Sequence, residues 1–245
     1  AKYGENIVNK SKKITWYNGQ PFCEILDCQN TKKCTDDMPL RLPVQDIYKI
    51  DDKRVIVGRI ETGELKLNDE LFFLPSNETV KLKSLEVWPK AKKKYMSGDN
   101  VGLTIEEQIF IDKGNLISHV TSRPKLMNTF EANLFWLSEK KLKINKQYFM
   151  KINTGEYNIF ISKVSRVIDT DNLTSKTPNL SPEKNDVCEV VIHSSQLIPM
   201  DDFKDNQKTG RFCILDEEKI IAGGIINLQN FPDQKDVVQT KNIKP

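Results

Sequence analysis

Two histidines and a pair of neighbouring aspartates are the residues of this chain best suited to proton transfer. His119 and His193 each lie in an apolar run, and Asp201 and Asp202 follow another. A histidine can act as a general base near neutral pH, and paired carboxylates can share acid–base work. The aspartates have no histidine or metal partner in the sequence pattern. We therefore interpret the aspartates as structural residues of a turn, and both histidines as packed or hydrogen-bonded structural residues.

The cysteines could bind zinc or form disulfides. Cys23, Cys28 and Cys34 are separated by four and five residues, and Cys188 and Cys213 lie far downstream. Zinc sites usually use closely spaced cysteines with a second pair downstream. The pattern therefore predicts no metal site. Five cysteines at irregular spacings also favour a reducing, cytoplasmic compartment over a disulfide framework.

A basic run flanked by aromatic residues, WPKAKKKY at Trp88–Tyr95, could contact nucleic-acid phosphates and stack on bases. The alternative is a solvated lysine loop between two strands. The whole chain has 37 lysines and arginines against 34 aspartates and glutamates, a net charge of +3. This balance argues against binding to nucleic acid or anionic membranes, so we favour the solvated loop. The longest apolar or glycine run, Ile220–Ile226, is too short to span a bilayer.

The elements that must carry these residues are mostly short strands. From Pro39 onward the hydrophobic period changes from 3.6 to 2, and β-rich runs alternate with turn signals. A polar joint at Ser122–Leu126 separates two sets of runs. The first set is RLPVQDIYKI, KRVIVGRI, ELFFLP, TVKLKSLEVW, NVGLTI and GNLISHV, and the second is FEANLFWL, QYFMKIN, YNIFISKVSRVID, DVCEVVIHS, GRFCILD and KIIAGGII. Closely spaced strands without helices between them predict an all-β fold with two antiparallel β-barrels.

One helix is predicted ahead of the strands, at Gln20–Gln29. Gly19–Pro21 is typical of a helix start, and Phe22, Ile25 and Leu26 recur at spacings of three and four. A short helix cannot form a domain alone, and the chain begins without methionine, so we expect a fragment of a longer protein. The predicted organisation is a helical remnant at 1–37, barrels at 38–123 and 124–227, and a flexible tail at 228–245.

The motifs LPVQDIYKI, GRIETG and SGDNVGLTI resemble those of the second domain of the translational GTPases, the family typified by elongation factor Tu. Two glycines in these motifs have a physical role. Gly63 can adopt a positive φ at the turn, and Gly58 lets its strand bend or approach another backbone closely. The closing run GRFCILDEEKIIAGGII is similar to the last hairpin of the family's third domain. The resemblance therefore implies the same two-barrel fold.

Within that family, four stretches resemble the large GTPase subunits of sulfate adenylyltransferase: Trp16–Gly19, Trp136–Glu139, Asn172–Thr174 and Asn206–Gly210. The resemblance implies that the intact protein binds GTP and Mg²⁺ and hydrolyses GTP. It would thereby help a small catalytic adenylyltransferase subunit form adenylyl sulfate from ATP and sulfate. The alternative is a translation-elongation GTPase whose barrels bind aminoacyl-tRNA.

The GTPase site itself is expected to lie upstream of this chain. The sequence contains neither a glycine-rich cradle ending in Gly-Lys-Ser/Thr nor an Asn-Lys-x-Asp run. Ala1 and Lys2 fall where the family's guanine-contacting motif would end, and they are the only cofactor-binding residues that the resemblance assigns here. We expect no catalytic residue, metal ligand or cofactor in this fragment. Its partners would be the GTPase domain and the small catalytic subunit.

Overall fold

The computed structural model describes residues 3–29, 35–87, 94–170, 174–176 and 181–230. The chain separates into two compact units, Ala1–Lys33 and Cys34–Pro245. The first unit contains the helix and the second contains the strands. None of the helices among the described residues is long and apolar enough to cross a membrane.

Helix α1 spans Phe22–Asp27, so it is shorter than the predicted Gln20–Gln29. Pro21 stands at its N-cap with an extended ψ of 156°, which places that residue before the helix as the sequence predicts. Backbone N–H groups of Phe22 and Cys23 donate to carbonyls of the preceding loop. The apolar stripe is present but buries none of the helix residues.

The first barrel contains all six strands that the sequence predicts. The strands are β1 (Leu42–Ile50), β2 (Lys53–Arg59), β3 (Glu64–Lys66), β4 (Glu70–Leu74), β5 (Glu78–Glu86), β6 (Lys94–Met96), β7 (Asn100–Ile105) and β8 (Leu116–His119). The barrel closes in the order β1-β2-β7-β5-β4-β8, with every neighbouring pair antiparallel. Two three-residue strands, β3 and β6, form a separate ribbon that the sequence did not predict, because three residues show no period.

The two glycines of the GRIETG corner behave as predicted. Gly58 faces Val44 where the register of β1 shifts, and a Cβ there would lie 2.4 Å from the carbonyl oxygen of Pro43. Gly63 has φ +77°, and a Cβ there would lie 2.6 Å from Cα of Leu40. Neither position accommodates a side chain without displacing backbone.

The strands of the second barrel are β9 (Lys125–Trp136), β10 (Gln147–Ile152), β11 (Gly155–Ile168), β12 (Ser175–Lys176), β13 (Val187–Met200), β14 (Arg211–Asp216) and β15 (Lys219–Asn227). This barrel also closes, because β10 pairs with both β14 and β11. The ring runs β10-β14-β15-β9-β13-β11, entirely antiparallel, and β12 is attached to β11. The prediction of two antiparallel β-barrels is therefore confirmed.

Alternation of buried and exposed side chains fills each barrel. In β10, Tyr148, Met150 and Ile152 are buried, whereas the residues between them are exposed. Strand β13 continues to Met200, past the predicted run, because a register shift between His193 and Ile198 interrupts the alternation without ending the pairing. Each barrel therefore has a hydrophobic core of its own.

Candidate interface site between the two barrels

The two histidines lie in separate hydrogen-bonded pairs. Nε2 of His119 is 3.1 Å from Oδ2 of Asp69. Nδ1 of His193 is 2.8 Å from the hydroxyl of Thr129, and its ring stacks on Phe160 with 5.6 Å between ring centres. Both histidines are thus engaged within a barrel wall, in agreement with the structural interpretation.

Asp201 forms the central contact between the barrels. Its carboxylate accepts two hydrogen bonds from the Arg41 guanidinium, Nε to Oδ2 and Nη2 to Oδ1, each at 2.8 Å. The side chains of Arg41 and Asp201 are only 4% and 10% exposed. The hydroxyl of Thr209 donates to the same carboxylate. This bidentate, charge-assisted pair joins residues that lie 160 positions apart in the sequence.

The rest of the Arg41 guanidinium is also satisfied. Nη1 donates to the carbonyl oxygens of Leu40 and Ser122, both at 2.8 Å. Sequence reasoning missed Arg41. The available signal was a charged residue between two leucines just before a strand, since a buried charge requires a partner.

Asp202 has a different structural role from Asp201. Its Oδ2 accepts from the backbone N–H of Leu228 and its Oδ1 from that of Lys204, both at 2.8 Å. It therefore fastens the loop after β13 to the chain beyond β15. Both aspartates are engaged in structural contacts, as the sequence interpretation holds.

The loop at Asn206–Gly210 reaches the GRIETG corner of the other barrel. The Asn206 side chain, in a residue only 3% exposed, donates to the hydroxyl of Thr62 at 3.1 Å. Thr62 in turn donates to the carbonyl of Pro39 at 2.7 Å. Gly210 closes the loop tightly, since a Cβ there would lie 2.5 Å from Cα of Phe203. Two motifs from separate barrels thus meet in one buried polar network.

A second contact joins the barrels at the β10–β11 hairpin. The Thr154 hydroxyl donates to the carbonyl of Val44 at 2.7 Å. Gly114, with φ +93°, faces Gly155 so closely that a Cβ would lie 2.9 Å from the Gly155 Cα. Tyr157 is within 3.5 Å of the Gly114 carbonyl, and burial raises the pKa of Tyr157 to about 12.

An apolar cluster completes the contact between the barrels. Phe72 and Leu74 of β4 pack with Leu126 at the start of β9, and Leu197 of β13 packs against them. The Arg123 guanidinium lies 3.7 Å above the Phe72 ring. The barrels are therefore joined by apolar burial as well as by buried hydrogen bonds.

A polar cleft lies beside this contact, and we call it the inter-barrel cleft. Its volume is about 380 Å³. Three cationic side chains, Arg59, Lys208 and Arg211, line it together with Glu61. The remaining lining residues are Pro43, Gln45, Asn100, Asn153 and Thr154.

Other residues singled out by the sequence take no part in the inter-barrel contact or lie outside the described residues. Ala1, Lys2, residues 88–93 of the basic run and residues 171–173 lie outside them. Trp136 is 1% exposed in the second barrel and donates from its indole to the Lys140 carbonyl at 3.0 Å. Trp16 is 83% exposed in the first unit.

The residues present do not fit the GTP and Mg²⁺ that the family implies. The sequence lacks the phosphate cradle, and the part of the chain that the structure describes holds no group of three or more His, Cys, Asp or Glu side chains placed to hold a metal. No step of GTP chemistry can therefore be assigned to these residues.

Comparison with known proteins shows what this chain is similar to. Residues 129–227 match the family model described as GTP-eEF1A C-terminal domain-like. A solved structure of Sup35 complexed with GMPPNP superimposes with a TM-score of 0.73 and 22% identity, covering 92% of this chain and 56% of that one. This likeness shows that the two chains share a fold.

Two curated relatives give more specific similarities than the fold does. The chain is 28% identical to sulfate adenylyltransferase subunit 1 of Saccharophagus degradans over 91% of its own length and 48% of that protein's. It is 27% identical to elongation factor 1-alpha of Metallosphaera sedula, over 91% of this chain and 53% of that protein. The chain thus spans about half the length of these curated relatives. The resemblance to translational GTPases, and to sulfate adenylyltransferase subunit 1 among them, is confirmed.

Proposed function

We propose that this chain is the barrel region of the GTP-hydrolysing regulatory subunit of a cytoplasmic sulfate adenylyltransferase. This nucleotidyltransferase complex would form adenylyl sulfate from ATP and sulfate during sulfate assimilation. The observation that carries the proposal is the 28% identity to sulfate adenylyltransferase subunit 1 across 91% of this chain. The relatives' name, subunit 1, denotes one part of an enzyme with further subunits.

The proposed role of the barrels is mechanical. The histidines and the aspartate pair are occupied by structural hydrogen bonds. The Arg41–Asp201 pair and the surrounding network couple the barrels through buried contacts. Two barrels joined in this way can pass a displacement from one to the other, and so relay a GTPase state to a docked catalytic subunit.

The first unit would pack against the GTPase domain. Apolar side chains of Tyr3, Trp16, Phe22 and Leu26 are between 53% and 83% exposed there. The chain spans about half the length of its relatives, and a GTPase domain in the intact protein would cover these side chains. In the proposed function these side chains would form one apolar patch, and a contiguous patch of that kind is typical of a surface that another element buries.

The decisive experiment is an affinity pull-down with the small catalytic adenylyltransferase subunit, using the full chain as bait. The barrel region of an elongation factor 1-alpha is the matched control, because it has the same fold. We expect retention by this chain and none by the control. Equal retention by both baits, or by neither, would contradict the proposal.

The second candidate is a translation-type function, and the 27% identity to elongation factor 1-alpha over 91% of the chain favours it. It predicts aminoacyl-tRNA binding whose affinity falls steeply with salt. Measurement at low and moderate salt separates the candidates. Tight, salt-dependent tRNA binding that is lost on replacing Lys92–Lys94 by glutamine would make the translation-type function the preferred one.

We further propose that this chain alone binds neither GTP nor ATP appreciably. Calorimetric titration of the chain with each nucleotide should show no binding of micromolar affinity, because the phosphate cradle is missing from the sequence. A micromolar affinity for GTP would refute this.

A further inference from the structure

We propose that the inter-barrel cleft binds a tetrahedral oxyanion, phosphate or sulfate, either free or as the end group of a larger ligand. This assigns a binding site to barrels whose proposed function is otherwise mechanical. The inference depends on the geometry and charge of the cleft alone, so it does not require the proposed partner subunit.

The first argument is the charge of the cleft. Arg59, Lys208 and Arg211 line it, and Glu61 is the one carboxylate among its lining residues. Like charges that share a cleft repel each other, and a bound anion turns that repulsion into attraction. The lining therefore favours a ligand that carries at least two negative charges.

The second argument is that these cations are available. The side chains of Arg59, Lys208 and Arg211 make no hydrogen bond or ion pair with the described residues, and each residue is exposed. Two other basic side chains of the barrels, by contrast, have carboxylate partners. Lys146 pairs with Asp216 at 2.5 Å, and Arg41 is fully occupied. The cleft thus gathers cations that have no counter-ion among the described residues.

The third argument is preorganisation. Arg59 ends β2, where it pairs with Asn100 of β7, another lining residue. The backbone N–H of Lys208 donates to the buried Asn206 side chain at 3.0 Å. Arg211 opens β14 directly after Gly210, whose loop permits no side chain. The backbone positions of all three cations are therefore fixed before any ligand arrives, which lowers the entropic cost of binding.

The fourth argument is the size and the neutral lining. A volume of about 380 Å³ lies at the small end of the range of ligand pockets, roughly 300–1,000 Å³. The amide groups of Gln45, Asn100 and Asn153 can donate to oxyanion oxygens. The guanidinium groups can bind such oxygens in pairs. Cationic forks with amide donors around a small cleft match a tetrahedral oxyanion better than an apolar ligand.

The test is calorimetric titration of the full chain with inorganic phosphate, sodium sulfate and adenosine monophosphate at low salt. We expect saturable binding in the millimolar range or tighter. Arg59→Gln and Arg211→Gln should each weaken it about tenfold, since each removes a charge-assisted contact. Lys83→Gln is the matched control, because Lys83 is an exposed lysine of β5 outside the cleft and should leave binding unchanged. Circular dichroism verifies that each variant is folded.

The three probes distinguish the sources of the anion. Equal affinity for inorganic phosphate and adenosine monophosphate supports a site for the free anion, and tighter binding of the nucleotide supports a site for the end group of a larger ligand. The inference is overturned if none of the probes binds, or if Lys83→Gln weakens binding as much as the arginine variants. Binding of a glutamate-rich peptide but of none of the oxyanions would also overturn it. A failed pull-down with the catalytic subunit would leave the titration unaffected, so the two proposals can fail separately.

Discussion

Replacing Asp201 by alanine tests whether the buried ion pair holds the barrels together. The substitution leaves the Arg41 guanidinium, only 4% exposed, without its carboxylate. It removes two hydrogen bonds of 2.8 Å and the acceptor of the Thr209 hydroxyl. Breaking a buried pair from one side typically costs about 3–5 kcal/mol, because an unpaired charge stays buried. We expect Asp201→Ala to lower the free energy of unfolding by about that amount.

The assay is urea unfolding together with differential scanning calorimetry of the full chain. With the other tryptophans replaced by phenylalanine, fluorescence of Trp136 reports the second barrel, in which it is 1% exposed. We expect one calorimetric transition for the unmodified chain and two for Asp201→Ala, since the barrels then unfold separately. The double variant Arg41→Leu with Asp201→Leu leaves no buried charge. The double variant should lower the free energy of unfolding less than Arg41→Leu or Asp201→Leu alone, with a coupling energy of at least about 2 kcal/mol.

A matched control separates this effect from the loss of any ion pair. Lys146 and Asp216 pair at 2.5 Å, but the lysine side chain is 38% exposed. Asp216→Ala should therefore cost less than about 1 kcal/mol. The reasoning is refuted if Asp201→Ala costs no more than this control. It is refuted equally if the double variant costs the sum of the two single variants.

Two further predictions concern alkaline stability and the GRIETG corner. Burial raises the pKa values of Cys188 and Tyr157 to about 12, above the ordinary 9.0 and 10.0, so the folded state retains protons that the unfolded state releases. Their stabilising contribution is complete below pH 9.0 and is lost as pH rises towards about 12. The urea midpoint should therefore fall between pH 9 and 11, and it should fall less in Cys188→Ala. A urea midpoint that does not change over this pH range would contradict the prediction. Gly63 has φ +77° and lies against the backbone of Leu40, so Gly63→Ala should lower the free energy of thermal unfolding by about 1–3 kcal/mol. Gly223→Ala is the control and should change stability little, because a Cβ there would have nothing within 4 Å. Equal melting temperatures of the two variants would show that a side chain at Gly63 causes no strain.

The strands were predictable because each is long enough to show its period. Strand β10 alternates buried and exposed residues over its full length, and this pattern is visible in QYFMKI. The ribbon strands Glu64–Lys66 and Lys94–Met96 were not predictable, because a three-residue segment has no measurable period. Helix α1 is shorter than its apolar stripe predicts. Pro21 lies before the helix, and none of the helix residues is buried, so packing does not stabilise a longer helix.

The site was predictable only in part. The conformation of Gly63 was predictable from its motif, because a positive φ there is a local property of the turn. The pairing of Arg41 with Asp201 is not local: it joins positions 160 residues apart, and a single sequence offers many possible partners for one charge. The Asn206–Gly210 motif was recognisable by resemblance, but its contact with Thr62 depends on how two barrels meet. Tertiary contacts between domains leave little periodic signal in either one.

The buried polar network between the barrels and the inter-barrel cleft arise from the same two motifs. In GRIETG, Thr62 is buried and receives the Asn206 amide, whereas Arg59 is exposed and lines the cleft. In the loop that follows β13, Thr209 is buried against Asp201, whereas Lys208, its neighbour, lines the cleft. Each motif thus directs one polar residue into the contact and one cation out of it. An anion bound between these exposed cations would add a further contact between the barrels, beside the buried hydrogen bonds. Anion binding and the relative position of the barrels should therefore be thermodynamically linked. On this argument, saturating phosphate should raise the unfolding temperature of the chain, and Arg41→Leu with Asp201→Leu should weaken phosphate binding although neither residue lines the cleft.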